Sequence, residues 1–396
     1  MARHGPTASA RSDGQPVPLV VRPVCHLGVQ GNDTAHGTGL WPVSRRGRPP
    51  AALTGFGSRG DDGYRRGVIA PVDFPSARPE GYEWLADEEP FDPEIHLDIG
   101  EPEFSHTLTD FGYSPADCDG LATDLAATGP FRILSDRGAE VMLDSARRLR
   151  AFTRRASTRV ENAVRGGCYR SRFLRDLCLS PEVTAAMSRL YGAPVAPHAM
   201  PVHLGHLNFE PTVLTEAVDK WHHDTIPLDY VMMVSDPARL AGGHFEYFVG
   251  TKAEMVDLAS RGERPPADRV VRCEFPGPGW AVGLHGNMVV HRGAPLDEPG
   301  ERITMVNAYE SLDVAHDLQC RTRDLIAVDD HEVLFAEWAR HVAWRARHRL
   351  ELVEQEAPFG LDAAGAIAML ERAVEDVQAA INDMRAGYRD SEHYEQ

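Results

Sequence analysis

Between about residues 196 and 312 the chain is cut into short apolar runs by turn residues at nearly even intervals, and this rhythm limits what it can fold into. His203–Phe209, Leu228–Val234, His244–Val249, Arg269–Phe275, Gly279–Leu284, Met288–His291 and Arg302–Tyr309 are rich in β-branched and aromatic residues. Asp236-Pro237, Gly242-Gly243, Pro276-Gly277-Pro278-Gly279 and Glu298-Pro299-Gly300 separate them. Short strands at such spacing fold as a β-sandwich or jelly roll rather than as βαβ units.

Helices flank this region. Ser114-Pro115-Ala116-Asp117 reads as a helix start, with a Ser cap and a Pro in the first turn ahead of Leu121, Leu125 and Ala126. Thr128 to Leu134 reads as a turn into a short strand, and residues 138–163 carry apolar positions at helical spacing (Val141, Leu143, Ala146, Leu149, Phe152). A further helix is expected over Tyr169–Leu179, and Ser180-Pro181-Glu182 opens another that ends at Gly192. The chain is helical again after about 325, and over 361–386 Ile367, Leu370, Val374, Val377, Ile381 and Met384 recur in steps of three and four. Such a seam wants a partner, in its own domain or in a second copy.

Residues 1–75 differ from all that follows. They hold nine arginines, no glutamate and many Gly, Pro and Ser, with no sustained apolar period, so they read as a disordered tail. The composition is also that of an organelle transit peptide, but an amphipathic helix is missing. The expected organisation is therefore a tail over 1–75, one domain over 76–325 with its jelly-roll core at about 196–312, and a C-terminal helical segment over 326–396.

The formal net charge of −18 argues against a nucleic-acid or anionic-membrane partner. The six cysteines have no CxxC or metal-finger spacing, which fits free thiols in a reducing, cytoplasmic setting.

The chemistry gathers between Trp221 and Thr304. In a strand, positions i and i+2 share a face, so His222 and Asp224 can reach one metal while His223 points away. His291 lies at the end of Met288-Val289-Val290-His291, and Arg302 follows eleven residues later. Two imidazoles and one carboxylate leave three positions open on an octahedral Fe(II), enough for a bidentate keto-acid and dioxygen. A guanidinium offers a planar fork to a carboxylate, and Thr304, two residues on, shares its face. His-x-Asp alone arises by chance in many chains, and Arg302 alone could pair with Glu298 or Glu301; the spacing of the whole set is the signal.

The pattern His222-x-Asp224, His291, Arg302-x-Thr304 resembles the Fe(II)/2-oxoglutarate dioxygenases, and within them the phytanoyl-CoA hydroxylase-like branch. The helices Phe173–Val183 and Leu190-Tyr191-Gly192-Ala193-Pro194 look like that branch too. The specific part of the resemblance covers about 196–312, and a weaker part reaches back to about 98. It implies an α+β fold, a double-stranded β-helix core with helices packed outside. It further implies Fe(II) on His222, Asp224 and His291, and 2-oxoglutarate as co-substrate with its distal carboxylate on Arg302 and Thr304. Asn208, fourteen residues before His222, stands where such enzymes often place an amide donor to the co-substrate. The implied reaction is hydroxylation of a small molecule, with succinate and CO2 as co-products; desaturation, epimerisation and cyclisation start from the same chemistry. Related halogenases carry Gly or Ala in place of the carboxylate, so Asp224 argues for hydroxylation.

Several neighbours remain open. Trp221 reads as core or as a wall of the metal site; His203, His206 and His285 read as core or pocket histidines. Glu246 and Tyr247 could face substrate, whereas Arg170 and Arg172 read as a solvated helix face. Two other readings stand beside the oxygenase: a jelly-roll metalloenzyme that does not use 2-oxoglutarate, and a non-catalytic β-sandwich binding protein. The first needs no carboxylate anchor at Arg302, and the second predicts no stoichiometric iron.

Overall fold

The computed structural model describes residues 70–395 apart from 156, 158, 317–319 and 390–392, so nearly all of the expected tail lies outside it. Thirteen strands among the described residues form two antiparallel sheets. They are β1 (Ser105–Thr107), β2 (Leu125–Thr128), β3 (Phe131–Arg132), β4 (Ala163–Val164), β5 (Val195–Pro197), β6 (His206–Phe209) and β7 (Asp219–His222). Then come β8 (Leu228–Met233), β9 (Phe245–Phe248), β10 (Val270–Cys273), β11 (Trp280–His285), β12 (His291–Gly293) and β13 (Ile303–Ser311).

The larger sheet runs β1-β2-β11-β8-β13-β6-β4, with β3 beside β11 and β5 beside β13; the smaller runs β10-β9-β12-β7. Two facing antiparallel sheets linked in this interleaved order make the jelly roll that the turn rhythm predicts. The larger sheet has little solvent face, and alternation sorts its side chains. On β8, Leu228, Tyr230 and Met232 join the layer beneath the helices, whereas Val231 and Met233 face the smaller sheet. On β13, Ile303, Met305 and Tyr309 join the helix-side layer. Thr304 and Val306, one step out of phase, turn inward and line a cavity between the sheets.

Helices α1 (Pro93–His96), α2 (Asp136–Leu149), α3 (Arg172–Cys178), α4 (Pro181–Tyr191) and α5 (Lys252–Ser260) precede a C-terminal pair, α6 (His331–Glu356) and α7 (Ala363–Ala386). None is long and apolar enough to cross a membrane. Phe173, Leu174, Val183, Met187 and Tyr191 of α3 and α4 pack with Met142 and Leu149 of α2 against the larger sheet. The Ser180 cap, Pro181 in the first turn and Gly192 after the last fall where the sequence predicts them.

Three expectations are corrected. No helix spans 114–126: the segment turns, and Leu125 and Ala126 enter β2, which pairs with β11. Pairing with the sheet outweighs the local spacing that reads as helix. The helix expected over 138–163 stops at Leu149, followed by one 3-10 turn, and Phe152 is exposed. Met288–Val290 forms a turn rather than a strand, so β12 begins at His291 itself.

The C-terminal seam is only partly covered by its own chain. Helix α7 meets its own chain through Ala373, Asp376 and Ala380, with Asp376 paired to Arg345 of α6 at 2.7 Å. Ile367, Leu370, Val374 and Ile381 stay exposed.

Candidate metal centre

Strands β7 and β12 are neighbours, and their register sets His222 directly opposite His291. The two rings lie 4.2 Å apart between centroids at an angle of 62°. Strand β7 ends at His222, so strand alternation does not place Asp224; its N–H donates instead to the Gly286 carbonyl at 2.8 Å, in the turn after β11. That bond swings the carboxylate between the rings, with Oδ1 3.3 Å from His222 Nε2 and Oδ2 3.3 Å from His291 Nε2. The turn needs glycine at 286, because a Cβ there would sit 2.1 Å from Asp229 Oδ2 and 3.0 Å from the Asp224 Cβ.

Backbone carbonyls choose the tautomers. His222 Nδ1 donates to Lys220 O at 2.6 Å, and His291 Nδ1 donates to Val289 O at 3.0 Å. A carbonyl can only accept, so each ring carries a proton on Nδ1 and presents Nε2 to Asp224. This is the orientation a metal ligand needs, with the outer nitrogen held by a hydrogen bond.

The charges agree with the geometry. Burial would push Asp224 up, but the imidazoles of His291 and His222 hold it well below the usual carboxylate range. Burial likewise opposes charge on His291, yet Asp224 raises its pKa above the ordinary value. Burial, helped by Arg159, lowers His222. One ligand atom from each of the three side chains lies within 4.8 Å of the others, so the set can close on one ion. Two imidazoles and a carboxylate suit a first-row divalent metal such as Fe(II) and leave positions open.

Arg302 enters the same cavity from the turn before β13, which it shares with Asn208, Thr304 and the three candidate ligands. Its side chain is 1% exposed, and no carboxylate comes within 4 Å of its guanidinium among the described residues. The expected competitor Glu301 pairs with Arg147 at 2.6 Å. Arg302 Nε donates to the Gly243 carbonyl at 2.6 Å and Nη1 to Thr304 Oγ1 at 3.3 Å. The close approach of Gly243 depends on its positive φ of 67° and on the missing Cβ, which would meet the Arg302 Cδ at 3.0 Å. Burial lowers the guanidinium to about 10. Asn208 of β6 lies across from Thr304 of β13, and its buried Oδ1 has no protein partner.

The remaining candidates divide clearly. His223 points away from the triad to Tyr394, whose hydroxyl lies 2.8 Å from Nδ1, and to Arg321. His203 and His206 line the cavity, and burial keeps both well below the ordinary histidine value. His285 lies elsewhere in the core with Nδ1 on the Leu125 carbonyl at 3.1 Å. Trp221 packs with Phe248, Met255 and Val290. Glu246 is tied to Arg292 at 2.8 Å and Tyr247 stacks on Phe111, so neither faces the cavity. Arg170 lies over Tyr82 and Arg172 over Trp84.

Sequence reasoning missed four cavity and site residues. Arg159 pairs with Asp219 at 3.0 Å, and Arg165 makes a two-pronged pair with Asp329 at 2.8 and 2.9 Å. Asp219 and both arginines line the cavity. Asp229 of β8 is fully buried behind Asp224, and burial together with that neighbour raises it well above the carboxylate range. A lone carboxylate inside Leu228-Asp229-Tyr230-Val231-Met232-Met233 was the available signal for it.

Fold and side chains together define a jelly roll whose interior holds two histidines and one carboxylate arranged for a metal, with an unanswered arginine in the same cavity. No family model and no curated protein matches the chain. Among solved structures it is similar to SnoN, described as a non-heme alpha ketoglutarate dependent epimerase from nogalamycin biosynthesis (18% identity over 50% of this chain and 84% of that one, TM-score 0.33). It is similar also to EctD from S. alaskensis, solved with 2-oxoglutarate and 5-hydroxyectoine (16% identity, 61% and 88%, TM-score 0.35). A third is HygX from Streptomyces hygroscopicus with nickel and 2-oxoglutarate bound (15% identity, 44% and 78%, TM-score 0.33). Likeness this distant carries no function from those proteins to this chain.

Proposed function

We propose that the chain is an Fe(II)- and 2-oxoglutarate-dependent oxygenase that hydroxylates a C–H bond of a small molecule, in the manner of the phytanoyl-CoA hydroxylase-like enzymes it resembles. The observation that carries this reading is Arg302: a buried guanidinium in the metal cavity with no anion of its own. Isolated buried charges are costly, and a dicarboxylic co-substrate supplies the missing partner.

Iron on His222, Asp224 and His291, with 2-oxoglutarate bound, would supply the oxidation of the substrate C–H, with succinate and CO2 as co-products. The protein's own residues do the rest. Lys220 O and Val289 O keep the two imidazoles in the ligating tautomer. Arg302 offers its fork to the distal carboxylate, Thr304 adds a hydroxyl and Asn208 an amide. Val231, Phe245 and Val306 form an apolar wall that keeps water from the reacting region. Asp224 in the ligand set supports hydroxylation over halogenation.

The test is anaerobic. Fe(II) and 2-oxoglutarate added to metal-free protein should give the visible metal-to-ligand charge-transfer band of a chelated keto-acid, and His291→Ala should abolish it. Iron bound without the band would favour a jelly-roll metalloenzyme of another kind, and absence of iron binding a non-catalytic protein.

The exposed Ile367, Leu370, Val374 and Ile381 on α7 support a contact between two copies through that helix. Light scattering should then show a dimer in the wild type and a monomer in Leu370→Asp.

A further inference from the structure

A second group of ligand-type side chains lies apart from the triad. His198, just after β5, Cys320, in the segment after β13, and His341 of α6 each bring one ligand atom within 4.8 Å of the other two. His198 Nε2 is 3.1 Å from Cys320 Sγ, and the rings of His198 and His341 stack 4.7 Å apart. Both histidines are 2% exposed. Burial holds both below the ordinary histidine value.

Glu310 stands behind this group. Its Oε1 accepts the Ala199 N–H at 2.7 Å, while Oε2 lies 3.3 Å from Nδ1 of His341. A buried carboxylate against one nitrogen of an imidazole turns the other nitrogen outward and makes it a better donor, the usual support for a metal-bound histidine. A cleft lined by Cys320, His341, Trp338 and Arg345 reaches the cluster from outside, giving an ion a path in and leaving a coordination position for water.

We propose that His198, Cys320 and His341 form a zinc site distinct from the Fe(II) centre, with Glu310 as the residue that orients His341. A thiolate with two imidazoles selects a borderline-soft ion, whereas the carboxylate of Asp224 suits a harder one. Loading releases the Cys320 thiol proton. Met200 N–H now donates to His198 Nδ1 at 3.1 Å, which places the ring proton on Nε2. Coordination through Nε2 moves that proton to Nδ1, so the hydrogen bond from Met200 N–H and the Nε2–Sγ contact with Cys320 are exchanged for three metal–ligand bonds. The ligands come from segments 122 and 21 residues apart (198, 320 and 341), so the ion ties α6 and the segment before it to the jelly roll.

Cobalt(II) is the probe, because a thiolate–cobalt pair gives an intense near-ultraviolet charge-transfer absorption that the nitrogen and oxygen ligands of the iron site cannot give. Metal-free full-length protein titrated with Co(II) should develop this band to an end point of one thiolate-bound ion, and Zn(II) should bleach it. His291→Ala should retain the band, Cys320→Ser should lose it, and His341→Ala should weaken cobalt affinity more than about tenfold. Zinc should also raise the melting temperature of His291→Ala but not of the double variant His291→Ala with Cys320→Ser. The proposal is overturned if wild-type protein saturated with cobalt shows no thiolate band, or if the band survives in Cys320→Ser.

Discussion

Arg302→Met should move two quantities in opposite directions, and the structure gives the size of each. Burial lowers the guanidinium from its ordinary value to about 10. At 1.36 kcal/mol per unit, holding it charged in the folded chain costs about 3 kcal/mol. For a base whose folded pKa is depressed, the charged form is disfavoured at every pH below the folded value, so this cost is present throughout the neutral range. Methionine removes it, but also removes the hydrogen bonds to Gly243 O and Thr304 Oγ1. Each is worth about 1 kcal/mol, so the variant without co-substrate should be as stable as the wild type or more stable by about 1 kcal/mol.

Co-substrate binding should change far more. Losing a buried charge-assisted pair costs about 2–5 kcal/mol, or roughly 30-fold to several thousand-fold in affinity. With metal present and 2-oxoglutarate at 100 times the wild-type Kd, the wild type gains about 2.7 kcal/mol of stability. A variant weakened about 100-fold gains only about 0.4 kcal/mol. Anaerobic thermal denaturation with and without 2-oxoglutarate measures both quantities in one experiment. An equal ligand-induced shift in wild type and variant would remove Arg302 as the anchor. A fall of several kcal/mol in the unliganded variant would show that its charge is already compensated within the protein.

Asp224→Ala should abolish turnover and His291→Ala should lower iron affinity more than about 100-fold, both read by anaerobic iron titration and product assay. Gly286→Ala would drive a methyl group to 2.1 Å from Asp229 Oδ2, displacing the turn that holds Asp224; stoichiometric iron in that variant would show the turn is dispensable. Glu337 accepts from Tyr169 OH and Val202 N, and burial raises it from 4.5 to about 7. Its protonated form is therefore favoured in the folded state, and wild-type stability should fall by up to about 3 kcal/mol as pH rises from about 4.5 through about 7. Glu337→Gln can keep both hydrogen bonds and should flatten that part of the curve; an unchanged slope in chemical denaturation across pH 5 to 8 would show that Glu337 does not titrate there.

The strands were legible because Gly and Pro turns punctuate them and because buried strands read as nearly continuous apolar runs, as Leu228–Met233 does. What misled was local spacing without tertiary context. Leu121 and Leu125 stand four apart behind a Ser-Pro cap, yet the register Leu284↔Ala127 draws the second into the sheet. In the triad, the residues were legible while the reason for their meeting was not. His222 and Asp224 converge because β7 stops and Gly286 holds the next turn, a contact between segments over sixty residues apart.

Residues that meet only through the fold leave even less trace. His198, Cys320 and His341 share no spacing rule, and Glu310 looks like any strand carboxylate. Arg302 marks the boundary between the two kinds of knowledge. Its place eleven residues after His291 is visible in the chain, but its significance depends on what stays away from it. Glu301 turns outward to Arg147, and Glu246 is held by Arg292. Glu210 meets Arg302 only at its backbone N–H. Buried charges are ordinarily paired, yet none of these carboxylates answers the guanidinium. Leaving it to two neutral oxygens keeps its charge available to an anion from solution, and it is this availability that makes the cavity a site for a dicarboxylic acid rather than a packing defect.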